Sequence, residues 1–177
     1  MFSDSLSFNL ALEEKGEKIM QAYYHPDLTQ FKHDRFGMFI HWGIYAMYGT
    51  NEWCRVYSRV SEEEYQYMIE HFQPDLFDPA EWARRARAAG MKYVIFTTKH
   101  HDGFCMWDTR ETDYKITSEE CPFHTAPNAD VVKELFRAFG ERDFMIGAYF
   151  SKPDWNSPYY WSDRWQHGDR NVNYKIK

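Results

Sequence analysis

Cysteine is scarce in this chain. Cys54, Cys105 and Cys121 are the only three among 177 residues, and no two stand in Cys-x-x-Cys spacing. An odd, sparse count excludes a disulfide framework and a zinc ribbon, and it fits a reducing compartment. Long apolar runs are missing too, so no membrane partner is expected. Met1-Phe2-Ser3-Asp4-Ser5-Leu6 carries neither the basic nor the apolar segment of a secretory signal, which makes a cytoplasmic location the expectation. Basic residues are outnumbered, 21 Lys and Arg against 27 Asp and Glu for a net charge of -6, and they form no cluster. Nucleic acid is therefore excluded as an expected partner. There is no glycine-rich phosphate loop, no Gly-x-Ser-x-Gly and no His-Glu-x-x-His. No low-complexity stretch or Gly/Ser linker divides the chain.

Aromatic residues are abundant, at 19% of the chain with seven Trp and thirteen Tyr. Aromatic excess lines carbohydrate and other flat-ligand sites, and it also fills ordinary cores. The 44% hydrophobic content and the length suffice for one domain with its own core.

Hydrophobic periodicity predicts an amphipathic helix over about residues 9–24, stopped by Pro26. Phe36 to Gly43 is apolar on both faces, as in a parallel strand covered on both sides. Ser61 with Glu64 makes a capping box that opens a helix to about Phe72. Asp78-Pro79-Ala80-Glu81 opens another, with Gly90 just past its end. Met91 to Thr97 reads as a second strand, Ala129 to Phe139 as a helix, and Phe144 to Phe150 as a third strand. Ser151 to Lys177 reads as a long loop with one helical turn. Alternating strands and helices predict an α/β fold with a parallel sheet. Three strands alone leave two bare edges, open to self-association. A complete (β/α)8 barrel takes roughly 250 residues. The expectation is the N-terminal portion of a (β/α)8-like (TIM) barrel, about three βα units, at residues 31–177 after an N-terminal helical segment, residues 1–30.

The chemistry-bearing residues gather at the strand ends, where α/β proteins bind ligands. Thr97-Thr98-Lys99-His100-His101-Asp102-Gly103-Phe104 follows the second strand, His41 ends the first, and Tyr149, Ser151, Asp154 and Trp155 surround the end of the third. His41 alone reads as a structural imidazole. Neighbouring residues on a strand face opposite ways, so His100 and His101 share a pocket only if the backbone turns, which Gly103 permits. Glu52 can accept hydrogen bonds from sugar hydroxyls while Trp53 stacks on the ring; the plainer reading is a solvated carboxylate and a tryptophan over the core. A rival reading makes His41, His100, His101 and Asp102 an N/O ligand set for zinc or iron. Cys105 reads as a small buried side chain.

Together, the string Arg35-Phe36-Gly37-Met38-Phe39-Ile40-His41-Trp42-Gly43, Glu52-Trp53, Phe77 to Ala83, Lys92 to Phe104, Trp107-Asp108 and Asp154-Trp155 resemble the α-L-fucosidases of glycoside hydrolase family 29. The resemblance runs from about Phe31 to Trp155. It implies a catalytic barrel followed by a β-sandwich, which these 177 residues do not include. It further implies hydrolysis of terminal α-L-fucosyl linkages with retention, no cofactor and no metal, and a fucosylated glycan or fucoside as partner. By the same resemblance His41, His100 and His101 hold fucose hydroxyls, and Glu52 and Trp53 meet the sugar, with Glu52 a possible assistant in proton transfer. Tyr149 and Trp155 complete the substrate-binding set, although many relatives carry Tyr-Tyr where this chain has Tyr149-Phe150. The run Asp154 to Tyr160 suggests the branch acting on branched fucosylated glycans.

One departure qualifies the inference. A retaining glycosidase needs two carboxyl groups about 5–5.5 Å apart. In the family's order the nucleophilic aspartate and the usual acid/base come after Lys177, and neither Asp102 nor Asp154 matches the nucleophile's motif. The expectation is an isolated chain without hydrolytic activity. The alternatives are a non-catalytic fucose-binding module and a half-barrel completed by self-association or by another chain.

Overall fold

The structure, a computed structural model, describes residues 26–157. The helix expected over residues 9–24 and the helical turn expected near the end of the chain lie outside the described residues. The chain divides into two units, the first ending at Arg35 and the second starting at Phe36. In the first unit a helix, α1, runs Pro26–Asp34.

The second unit is built on three parallel strands, β1 (Gly37–Ile40), β2 (Tyr93–Lys99) and β3 (Met145–Phe150), in the order β1-β2-β3. Between β1 and β2 come a 3-10 turn (Ile44–Tyr48), a one-turn helix α2 (Cys54–Tyr57), α3 (Glu62–Glu70) and α4 (Pro79–Ala88). Between β2 and β3 lie a 3-10 turn (Pro122–Thr125) and α5 (Val131–Gly140). The α/β class and the parallel sheet are as the sequence predicts. No described helix is long and apolar enough to cross a membrane.

The helix starts follow from local chemistry. Ser61 Oγ accepts from Glu64 N at 3.1 Å and the Glu64 carboxylate accepts from Ser61 N at 2.7 Å, so the expected capping box is formed. Asp78 caps α4 by accepting from Glu81 N at 2.9 Å, with Pro79 at the first helical position. Asp130 caps α5 through Lys133 N at 3.0 Å. On β2, Val94 and Phe96 are fully buried and alternate with half-buried Tyr93 and Ile95. Val94 and Phe96 join one apolar cluster with Ala83 and Ala86 of α4 and Val131, Leu135, Ala138 and Phe139 of α5. Each such large side chain contributes about 1.5–3 kcal/mol on burial, so this face of the sheet is the core.

The opposite face differs from the sequence expectation. β1 was expected to be covered on both sides, yet Phe39 is 48% exposed. Its strand also ends earlier than expected, at Ile40, while β2 runs on to Lys99. On the open face, β2 shields its neighbours' glycines: Tyr93 pairs with Gly37 and Ile95 with Gly147. A Cβ at Gly147 would stand 3.0 Å from Ile95 Cγ1, and one at Gly37 would run into the Tyr93 ring. Near its end β2 slips register against β3 between Thr97 and Lys99. Such a bulge re-aims the side chains that follow it, and those are His100 and His101.

Candidate functional site

Thr97, the last β2 residue before the bulge, fixes the first wall. Its Oγ1 accepts from Trp42 N at 3.2 Å and lies 3.2 Å from the Tyr45 hydroxyl, so the chain leaving β1 is tied to β2. Trp42 then turns to the helices, with its ring 5.3 Å from Phe77, 5.4 Å from Trp82 and 5.9 Å from Phe72. His41, one residue earlier, takes the other side. Its ring lies 4.3 Å from Phe39, 5.6 Å from His100 and 6.2 Å from Tyr149, measured between centroids.

The turn that the sequence required of Gly103 is present. Gly103 has φ 86°, and its N–H donates to His100 O at 3.1 Å. A side chain at this left-handed position would be strained and would also collide with the Asp154 carboxylate. The turn brings the His100 and His101 rings to 4.4 Å. His100 is buried, stacks on Tyr149 at 5.5 Å and meets the Tyr45 ring at 5.8 Å. Its Nδ1 has no hydrogen-bond partner among the described residues. His101 Nδ1 bonds Ser151 Oγ, and its ring is edge-on to Trp53 at 5.0 Å. Trp155 is buried against Trp53 and His101, each at 5.1 Å between ring centroids, and its backbone N–H donates to His101 O at 2.7 Å.

Glu52 closes the group. One of its carboxylate oxygens, a nitrogen of His41 and a nitrogen of His100 lie within 4.8 Å of one another. The structure thus brings His41, Glu52, Trp53, His100, His101, Tyr149 and Trp155 to the carboxyl end of one sheet, from four separate segments.

Burial, followed by the neighbouring charges of His101, His41 and Lys99, pushes His100 down to about 3, so its ring is neutral near pH 7. A neutral imidazole offers one donor and one acceptor, which matches a hydroxyl. Burial likewise lowers His101, helped by Lys99 and opposed by Glu52.

Asp102 does not join the group. It is buried beneath the turn and accepts from Phe104 N at 3.2 Å, and burial raises it to about 7 against the opposing pull of Arg55 and Lys99. The rival ligand set His41, His100, His101 and Asp102 is therefore replaced by His41, Glu52 and His100. Asp154 is also committed, accepting from Asn156 N at 3.1 Å and Ser157 N at 3.0 Å and standing 3.5 Å from Lys99 Nζ. Lys99, in the strand rather than the loop, also donates to Pro153 O at 3.2 Å and lies over the Phe150 ring. Cys105 is buried, and burial raises its thiol to about 12, which suits a packing role.

Sequence reasoning missed Tyr45, Arg55 and the tie that Thr97 makes between the two strand ends. Arg55, on α2 beside Glu52-Trp53, is buried, donates to Asp102 O at 3.4 Å and sits 4.6 Å over the Tyr65 ring. It joins the segment carrying Glu52 to the turn carrying both histidines. A single arginine in a helical pattern gives no signal of this. Thr97 lies inside the family-like string Lys92 to Phe104 and Tyr45 two residues past the one that ends at Gly43, and neither carries a spacing that marks it.

Comparison with known proteins bears directly on this constellation. The family model described as Alpha-L-fucosidase matches residues 12–177. Tissue alpha-L-fucosidase of Rattus norvegicus is 32% identical over 180 residues, covering 88% of this chain and 38% of the rat protein. Alpha-L-fucosidase isoenzyme 1 from Paenibacillus thiaminolyticus superposes with a TM-score of 0.74 at 42% identity, covering 86% of this chain and 35% of that one. A GH29 alpha-L-fucosidase from Bacteroides thetaiotaomicron, solved as a trapped covalent intermediate with 2-fluoro-fucosyl fluoride, superposes with a TM-score of 0.67 at 33% identity, covering 76% of this chain and 32% of that one. The chain spans about a third of the length of these relatives. By sequence and by fold, it belongs to the α-L-fucosidases of glycoside hydrolase family 29.

Proposed function

We propose that this chain forms the fucose-gripping wall of a retaining α-L-fucosidase acting on terminal α-L-fucosyl linkages of glycans, and that its sheet is an arc of a (β/α)8-like barrel. The observation that carries the reading is the meeting of His41, Glu52 and His100 within 4.8 Å at the sheet's carboxyl end. A buried imidazole nitrogen without a partner is costly, and a sugar hydroxyl supplies the missing bond. In this reading His41, His100 and His101 hold hydroxyls, and Glu52 accepts from one and stands ready to assist proton transfer. Trp53 and Tyr149 present ring faces to the sugar. Trp155, being buried, acts through Trp53 and His101.

The chemical step requires an aspartate to attack the anomeric carbon, giving a covalent fucosyl-enzyme, while a second carboxyl protonates the leaving oxygen and then activates water. The trapped intermediate of the Bacteroides relative supports this route. Asp102 Oδ1 accepts from Phe104 N, and Asp154 Oδ1 accepts from Asn156 N and Ser157 N, so neither is assigned the nucleophile's role.

Calorimetric titration of the 177-residue chain tests the reading. Saturable binding of L-fucose near the millimolar range, absent with D-fucose and lost in His41→Ala, is the expected result. Equal heats for the two enantiomers, or binding untouched by the substitution, would contradict it. A chromogenic α-L-fucoside should not be turned over by this polypeptide.

A further inference from the structure

The same three side chains have a second capacity. His41, Glu52 and His100 come from the end of β1, the loop before α2 and the end of β2, yet one donor atom of each falls within 4.8 Å of the others. Core packing does not force this meeting, because His41 is exposed and Glu52 only half-buried. Neither side chain is held by a hydrogen bond or ion pair among the described residues. His100 is the fixed member, 5% exposed and with Nδ1 unpartnered.

Two imidazoles and one carboxylate suit zinc and its neighbours, whereas calcium and magnesium favour more oxygen donors. Metal–ligand bonds of about 2.0–2.1 Å in a tetrahedron place donor atoms about 3.4 Å apart. The widest pair here has to close by about 1.4 Å, a movement open to the two side chains that face solvent. Three protein donors leave the fourth position to water. His101 and Asp102 stay out of the set, because the donor atoms that meet within 4.8 Å are those of His41, Glu52 and His100.

We propose that His41, Glu52 and His100 chelate one divalent transition ion of the zinc class, and that the ion and the sugar exclude each other from this pocket. The chelation stands on the donor geometry alone. The exclusion rests on the fucose reading, since an ion bound by these three occupies the donors assigned to the hydroxyls.

The test uses the untagged 177-residue chain, stripped with a chelator and dialysed. Zn2+ is titrated by calorimetry, and Co2+ by the visible band it gains in a low-coordinate site. One ion per chain is expected, with binding weakened at least tenfold in Glu52→Gln and in His41→Gln. His71→Gln and His124→Gln, which change histidines bonded to backbone carbonyls elsewhere, should leave the affinity unchanged. Millimolar Mg2+ should not compete. Glu52 and His41 are chosen because neither is buried, and matching circular dichroism confirms that the variants fold. Unchanged Zn2+ affinity in both variants, or equal loss in the His71 and His124 controls, overturns the chelation. Adding L-fucose should then weaken the apparent Zn2+ affinity. If fucose binds the metal-free chain but leaves Zn2+ affinity unaltered, the exclusion is wrong. If fucose fails to bind the metal-free chain, the fucose reading and the exclusion fail together, and the chelation stands or falls on its own titration.

Discussion

At the scale of single residues, the site is defined by groups whose charge the fold suppresses. His100 is held near 3, against an ordinary value of 6.5. Between those limits the unfolded chain carries a proton that the folded chain lacks, so this residue makes stability rise as pH rises from about 3 to 6.5. Asp102 is held near 7, against 3.8. The folded chain keeps a proton there that the unfolded chain has released, so its contribution falls as pH rises from about 4 to 7. Over about pH 4 to 6.5 the two slopes oppose each other. In metal-free buffer, Asp102→Asn should steepen the rise of unfolding free energy by about 1.4 kcal/mol per pH unit, and His100→Gln should lower the slope by as much. Urea unfolding across this range checks it, and profiles parallel to the parent's would contradict it. The sequence showed the histidines and the glycine that turns them, because both are carried by residue type and order. It did not show the neutral state of His100 or the burial of Asp102 and Arg55, which depend on what packs around them from remote segments.

At the scale of elements, the starts of helices were the most legible features. Ser61 with Glu64 and Asp78 with Glu81 satisfy free N–H groups of the first turn through neighbours three residues away, so their signal is local. Ser61→Ala should cost about 0.5–2 kcal/mol, read as a lower denaturation midpoint with unchanged slope; no change would show that α3 is held by packing alone. Strand limits were less legible. The expected end of β2 at Thr97 follows the apolar run, but β3 continues to pair, and the ladder extends through Lys99 with a slip on the way. That slip, invisible in hydropathy, carries the strand to the point where two adjacent histidines turn toward each other. β1 was expected to be longer because its apolar run continues into Trp42, whose ring serves the helix layer after the strand has ended.

At the scale of the whole molecule, three parallel strands present one face to α4 and α5 and leave the other open among the described residues. β1 and β3 each have one edge without a strand partner there. Phe39 at 48% and Phe150 at 56% exposure lie on these outer strands. Apolar side chains beside unpaired strand edges favour association. Sedimentation of the 177-residue chain should show a weight-average mass that grows with concentration, and a constant monomer mass would contradict this. The parallel sheet was readable from the alternation of periodicities, since a parallel pair needs a long crossover. The open face was not readable, because Phe39 looks like a core residue until its neighbours are known.

The central claim is that segments far apart in sequence meet to grip fucose. Its most direct test is an NMR titration of the metal-free chain with L-fucose, following the imidazole resonances of His41, His100 and His101 and the indole resonance of Trp53. The account predicts saturable shifts at these groups on a single binding curve, with His71 and His124 unmoved. Shifts absent from the three histidines, or spread equally to His71 and His124, would contradict it.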